Sequence, residues 1–465
     1  MHFVILSSML LSCVGKNKDA SRSNSVFTGA AEEVRLIVVA PGHFHASLLQ
    51  KNNMRQVNNS VFVYAPTQDV GLKQYLAAID TYNKRTDNPT NWLTSIYTGE
   101  DFLNRLESEK NGNVVVLAGN NRDKTEYILR AVDAGLNVLS DKPMAINRED
   151  FHLLEEAYSS SELNDVFLYD MMTERYDLLN IIERELVNNP EFFGELKKGT
   201  PENPSIYMES VHHFFKKVSG TPLIRPTWYY DVEQQGEGIA DVTTHLIDQL
   251  FWKCFPDQAI TYNQDINNIS STHWATDISP QQFTSSTGAT DFPGYLQKHL
   301  DNDVLKVYAN GTISFEVKGH YTNLKVLWNW EAPEGSGDTF RSVIKGSKAI
   351  LLTEQNKAQN FVKQLYIQRT EDIDSESFEE NLKRTINKLQ VKYPFLSYES
   401  TSTEGTYLLN IPLENRETHE SHFTNVAEHF FNYLVDRNML AWEKSNTLAK
   451  YYITTKAVER ANEKS

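Results

Sequence analysis

One stretch, Val114 to Ile146, restricts this chain more than any other. Val114-Val115-Val116-Leu117 is a short apolar run suited to a strand buried on both faces. Ala118-Gly119-Asn120-Asn121 breaks the run with small, turn-prone residues. Lys124 to Ala134 then has helical spacing, and Gly135 stands where a helix C-cap is expected. Asn137 to Ser140 returns as a strand, and Asp141-Lys142-Pro143 closes the unit. Strand, helix and strand within about thirty residues predict a right-handed βαβ crossover in a parallel sheet. Ligands of such sheets bind beyond the carboxyl ends of the strands. Asn120 and Lys142 both fall at such ends.

The same texture starts earlier. Val34 to Ala40 reads as the first buried strand, followed by Pro41-Gly42-His43-Phe44-His45-Ala46 and a helix over Ser47 to Gln56. A dinucleotide fold places G-x-G-x-x-G at this turn, with the pyrophosphate over the helix N-terminus. Here the pattern is Ala40-x-Gly42-x-x-His45, which keeps the middle glycine. The second strand, Val61 to Tyr64, runs into Tyr64-Ala65-Pro66, where such folds carry a ribose-binding acid. Helices are expected over Gly71 to Lys84, Asp101 to Glu109, Asn147 to Tyr158 and Thr173 to Val187, with a strand at Val166 to Asp170. Beyond Glu195 the runs become short and β-like, among them Ser205 to His212, Val304 to Val307, Gly311 to Gly319 and Lys325 to Trp330. Asn310-Gly311 and Lys345-Gly346 read as turns between them. Residues 371–410 are charged and receive no element.

The expected fold class is therefore α/β plus α+β. A Rossmann-type doubly wound parallel sheet occupies 34–165, and an open, mostly antiparallel sheet with helices occupies 166–413. C-terminal helices follow over 414–465.

Phe3 to Leu11 is an apolar run too short to span a bilayer and suited to the core of a signal peptide. It ends in Leu10-Leu11-Ser12-Cys13, which resembles the lipobox of bacterial lipoproteins. That resemblance implies a signal peptide over 1–13, a lipid anchor at Cys13, a polar tether over 14–33, and a place on the periplasmic side or surface of a bacterial envelope. Cys13 and Cys254 are the only cysteines, so no disulfide framework exists. A net charge of −16 argues against a nucleic-acid partner.

A second stretch, Gln235 to Trp252, bears chemistry. Asp241 and His245 stand i, i+4 on a predicted helix, so their side chains share a face. A histidine beside a carboxylate suits general acid/base work near neutral pH. Asp248 reads as a packing or anchoring residue. His43 and His45 have three readings: they cap the first helix, contact pyrophosphate or substrate, or bind metal with His212, His213 or His245 as further ligands. His-x-His alone does not establish a metal, and none is assigned. Trp228-Tyr229-Tyr230 and Trp328-Asn329-Trp330 are either sugar-stacking surfaces or core aromatics. Cys254 reads as a buried small residue.

With both stretches in view, the chain resembles the glucose-fructose oxidoreductase / inositol dehydrogenase (Gfo/Idh/MocA) family over roughly residues 34 to 350. Asp141-Lys142-Pro143 is similar to the family's E-K-P motif. Gly236 to Asp248 is similar to its G-G-x-x-x-D-x-G-x-H-x-x-D motif, with Thr243 replacing the inner glycine. The resemblance implies an NAD(P)-dependent oxidoreductase acting on a hydroxyl or keto group of a sugar, polyol or glycoside. Lys142, Asp241 and His245 would be catalytic. Gly42, His43, Phe44, His45, Gly119, Asn120, Asp141 and Lys142 would hold NAD or NADP, tightly bound, and the chain would form homo-oligomers. The changed fingerprint motivates the alternatives, a lyase or hydrolase acting through His43, His45 and His245, with or without metal, or a glycan-binding lipoprotein without catalysis.

Overall fold

The computed structural model describes residues 26–67, 69–218 and 221–464. The expected signal peptide, Cys13 and most of the tether lie outside these residues. The described end of the tether is packed: Phe27 is buried in the first domain, and Glu33 accepts hydrogen bonds from the N–H groups of Thr28 and Gly29. Among the described residues no helix is long and apolar enough to cross a membrane.

Six parallel strands form the first sheet: β1 Leu36–Val39, β2 Ser60–Ala65, β3 Leu93–Thr98, β4 Val114–Leu117, β5 Asn137–Ser140 and β6 Leu168–Asp170. Their order is β3-β2-β1-β4-β5-β6, the doubly wound arrangement expected. β1, β4 and β5 are buried along their whole length, as a sheet covered on both faces requires. The βαβ unit matches its reading closely, with a helix at Lys124–Asp133 and Gly135 at a φ of 78°.

The first crossover differs. The helix expected over Ser47 to Gln56 is only His45–Leu48, and polar turn-formers follow at Lys51-Asn52-Asn53. The helix His419–Asp436 covers that face instead. Its Phe423, Val426, Phe430 and Leu434 share one core with Val34, Leu36 and Val38. The C-terminal helices are thus not a separate unit, since His419–Asp436 completes the first domain and Ala441–Asn462 packs on the helix Arg148–Leu163 and on the second sheet. The first domain also extends past residue 165 to include β6.

The second sheet contains β7 Ile206–Phe215, β8 Ile266–Ile278, β9 Val304–Val317, β10 His320–Glu331, β11 Thr339–Lys345, β12 Ala349–Gln355, β13 Gln364–Arg369, β14 Ser397–Ser400 and β15 Thr406–Asn410. Its order is β8-β9-β10-β7-β11-β12-β13-β15-β14, mostly antiparallel, with β10 parallel to β7. Asn310-Gly311 is not a turn. Both residues lie inside β9, opposite Trp274 and His273 of β8. A Cβ on Gly311 would stand 2.4 Å from Ile239 Cγ2 and 2.7 Å from the Thr272 carbonyl oxygen. The glycine therefore admits the helix that carries the site, rather than reversing the chain. Residues 371–410 supply the helix Ser375–Gln390 and the edge strands β14 and β15.

Candidate active site

The carboxyl ends of β1, β4 and β5 open onto a cleft of about 630 Å³, whose other walls come from β7, β10, β11 and the helix Thr243–Cys254. Lys142, directly after β5, crosses into this cleft. Its Nζ donates to Asp241 Oδ1 at 2.5 Å, and Gln235 Nε2 donates to Asp241 Oδ2 at 3.0 Å. Burial works to raise the pKa of Asp241, but the Lys142 ammonium and these two bonds outweigh it and hold the carboxyl below its usual range.

Asp241 does not orient His245 by a hydrogen bond, as the i, i+4 spacing suggested, because its two oxygens engage Lys142 and Gln235. Spacing placed both side chains on one face, and a charge-assisted donor from β5 then determined the partner. His245 lines the cleft with its Nδ1 buried and lacking any partner among the described residues. Burial first, and then the nearby Lys142 ammonium, push its pKa down to about 3, while Glu174 works in the opposite direction. The ring is thus neutral at physiological pH.

Two consequences follow for pH. The kcat/KM profile should show no acidic limb from His245 between pH 7 and about pH 4.5, where an unperturbed histidine of pKa near 6.5 would give one. The folded pKa is depressed below the unfolded value, so the unfolded chain binds the extra proton. Stability should therefore fall as pH drops below about 6.5 and toward the folded value. Urea midpoints measured between pH 7 and pH 4.5, beside a His245→Gln variant with a flatter dependence, check this.

At the first turn, His45 Nδ1 lies 2.9 Å and His43 Nδ1 3.7 Å from the same atom, Asp141 Oδ2. Burial tends to raise the pKa of Asp141, but His45, His43 and Lys124 hold it far below the carboxylate range. The backbone of the turn is largely self-satisfied. Gly42 N–H donates to the Ala40 carbonyl (2.7 Å) and His43 N–H to the Ala118 carbonyl (3.1 Å). A Cβ on Gly119 would stand 2.2 Å from the Ala40 oxygen, so that glycine allows the β1 and β4 turns to pack together. Gly119 lines the cleft, whereas Asn120 donates its amide to Gln234 Oε1 (2.8 Å) and ties the turn to the short helix Val232–Gln235. Phe44 is exposed. Where a ribose-binding acid was sought, the Tyr64 hydroxyl donates to Glu109 Oε2 (2.6 Å).

His212 and His213 do not join the His43 pair. Their Nδ1 atoms face Asp338 at 3.2 and 3.0 Å, and Lys216 bonds the same carboxylate. Trp328 lines the cleft with His212 stacked on it at 5.0 Å, and the Arg225 guanidinium stands 4.4 Å from the Tyr229 ring centre. Trp228 and Trp330 instead pack against the core. Glu174, Lys363 and Asp338 were not anticipated. Lys363 Nζ donates to Glu174 Oε2 (2.9 Å) and Asp177 Oδ2 (3.3 Å), a pairing of single charges with no sequence motif. Asp248 belongs to a buried ion network behind the site, bonded in bidentate fashion by Arg175. Burial pushes the Cys254 thiol up, which keeps it protonated and unreactive.

A family model described as "Putative oxidoreductase C terminal domain" matches residues 182–462. The structure is similar to a crystal structure of a "putative oxidoreductase" from Parabacteroides merdae ATCC 43184, with 46% identity, a TM-score of 0.92, and coverage of 94% of this chain and 100% of that one. More distant structures share the fold. A levoglucosan dehydrogenase in complex with NADH and levoglucosan has 11% identity and a TM-score of 0.56, covering 93% of this chain and 98% of that one. A "putative myo-inositol dehydrogenase" from Sinorhizobium meliloti 1021 has 13% identity and a TM-score of 0.53, with coverage of 93% and 98%. A comparison with curated proteins finds no match.

Proposed function

This chain belongs to the oxidoreductase family that carries that C-terminal domain, and on that premise we propose that it oxidises or reduces a CH–OH or keto group of a sugar, polyol or glycoside. The observation that carries this reading is the meeting of two groups in the cleft, the Lys142 side chain held by Asp241 and a neutral His245. Oxidation of a carbinol requires its hydroxyl proton to leave as the carbon is oxidised. The neutral His245 imidazole accepts that proton, and the Lys142 cation stabilises the charge developing on oxygen. Trp328 and Tyr229 form an apolar part of the cleft wall, with His212 stacked on the first and Arg225 over the second.

The residues fit a nicotinamide cofactor at the Lys142 end. Gly119 and Lys142 border the place beyond β4 and β5 where the ring of such a cofactor would lie, and His245, whose buried Nδ1 is orphaned, lines the same cleft. Bound there, a nicotinamide supplies the hydride acceptor or donor. The first turn fits less well, because the N–H groups of Gly42 and His43 are already bonded within the protein. Tight retention of NAD or NADP therefore draws on side chains more than on the turn. The enzyme would be lipid-anchored at Cys13, facing the periplasm or at the cell surface, as the apolar run Phe3 to Leu11 and the lipobox-like Leu10-Leu11-Ser12-Cys13 suggest.

The test uses protein purified without added cofactor. Denaturation followed by mass spectrometry should release NAD(H) or NADP(H). Protein that releases neither, and that binds neither NADH nor NADPH in fluorescence titrations up to about 1 mM, the top of the usual KM range, would overturn the reading.

A further inference from the structure

We propose that His43, His45 and Asp141 form a binding site for one divalent first-row transition ion, of the zinc or iron(II) class, open toward the cleft. The three residues come from the ends of β1 and β5, and the sheet brings the imidazoles to a carboxylate 96 residues away in the chain. One candidate donor atom from each residue lies within 4.8 Å of the others. The two Nδ1 atoms stand 2.9 and 3.7 Å from Asp141 Oδ2. Ligands held 2.0–2.2 Å from a tetrahedral ion stand about 3.3–3.6 Å apart, so little movement closes this set on a metal.

The arrangement is also braced. The His43 and His45 rings are nearly perpendicular, at 86° with centres 4.1 Å apart, while both Nδ1 atoms approach Asp141 Oδ2. His45 packs against Phe423 at 4.6 Å, and the Asp141 N–H donates to the Leu117 carbonyl at 2.7 Å. The two neighbouring cations are engaged elsewhere. Lys124 Nζ donates to Asn121 Oδ1 and to the carbonyls of Asp141 and Pro143, and Lys142 reaches Asp241. His45 Nδ1 shares a hydrogen bond with Asp141, and His43 Nδ1 accepts only a long 3.4 Å bond from the His45 N–H. A metal accounts for this second imidazole crowding the same oxygen.

All three residues line the cleft, so the remaining coordination positions face it. Three protein ligands with an open position is the pattern of catalytic rather than structural ions. Two imidazoles and a carboxylate suit zinc, iron(II) or cobalt better than calcium or magnesium. The open position takes water or an oxygen of the bound carbohydrate, which the ion would polarise beside Lys142. This site shares the cleft with the proposed reaction but does not depend on dinucleotide binding.

The test uses the full chain, stripped with chelator and titrated with Zn²⁺ and, for its visible d–d bands, Co²⁺. One equivalent should bind. His45→Ala and Asp141→Asn should each weaken Zn²⁺ binding about 100-fold or more, beyond the usual cost of losing an outer partner. His43→Gln, at a more exposed position, serves if either variant fails to fold. Lys142→Met should keep the metal. Absence of stoichiometric binding, or binding unchanged in a His43→Ala/His45→Ala double variant, would overturn the proposal. An NADH titration on the same samples separates the two ideas. Zinc without dinucleotide retains this site and removes the hydride reading, and dinucleotide without zinc does the reverse.

Discussion

Lys142→Met is expected to lower kcat/KM about 10³- to 10⁴-fold while the protein remains folded. Methionine keeps much of the stem volume and removes the one cation that Asp241 engages in the cleft. The loss should fall mainly on kcat, since the charge matters most when oxygen becomes anionic. Asp241→Asn should lose less by itself, because the amide still bonds Gln235 or Lys142. The two changes should be far from additive, as expected for groups in one hydrogen-bonded pair. His245→Gln should fall in the same range as Lys142→Met if the imidazole receives the proton. A Lys142→Met enzyme within tenfold of the parent would place the chemistry elsewhere in the cleft, and the His43, His45 and Asp141 cluster would then be the next group to test.

Much of the first domain was legible because its central strands are buried on both faces and therefore read as unbroken apolar runs. β4 and β5 coincide with their predicted limits. β3 escaped because it is an edge strand whose residues are mostly exposed, with no run or alternation to mark it. The helix after β1 was overread because local spacing gives no sign that a helix from residues 419–436 already occupies that face. The Asn310-Gly311 dipeptide carried a turn signal, yet the glycine serves a close approach that depends on Ile239 in another element.

The site shows the same division between local and distant information. Lys142, Asp241 and His245 were found from motif spacing and do share one cleft. Their partners were not legible, since Lys142 engages Asp241 from 99 residues away and leaves His245 unpaired. The third donor beside His43 and His45 is likewise Asp141, not a histidine, because strand order rather than sequence spacing determines which loop ends are neighbours. Lys363 reaches Glu174 across 189 residues, and no local pattern encodes such a pair.

Arg175→Met is expected to destabilise the fold by about 3–5 kcal/mol, the range for removing one partner of a buried ion pair. Arg175 bonds Asp248 through Nε and Nη2, both at 2.7 Å, and its Nη1 bonds both oxygens of Glu443 at 3.0 Å. Lys450 adds bonds to Asp170 (2.9 Å) and Asp248 (3.1 Å), and the Tyr451 hydroxyl donates to Asp170 Oδ2 (2.8 Å). The network therefore joins the end of β6, the turn Thr173–Tyr176, the helix bearing His245 and the helix Ala441–Asn462. Without Arg175, three buried carboxylates face Lys450 alone. Burial already raises the pKa of Glu443 against the pull of Arg175, so losing the arginine moves this carboxyl further toward taking a proton. The stability gap between variant and parent should consequently narrow as pH falls, because protonation neutralises a carboxylate that has lost its arginine. Arg175→Lys should rescue little, because an ammonium cannot bond two carboxylates in the forked geometry seen here. As a contrast, Lys84→Ala removes an exposed pair with Asp80 and should change stability by about 0.5 kcal/mol or less. Urea unfolding followed by circular dichroism gives each value. A cost for Arg175→Met no larger than that of Lys84→Ala would mean the network is neutral relative to an uncharged filling. The fixed position of the His245 helix would then have to come from the packing of its own Leu246, Ile247 and Leu250 into the second-domain core.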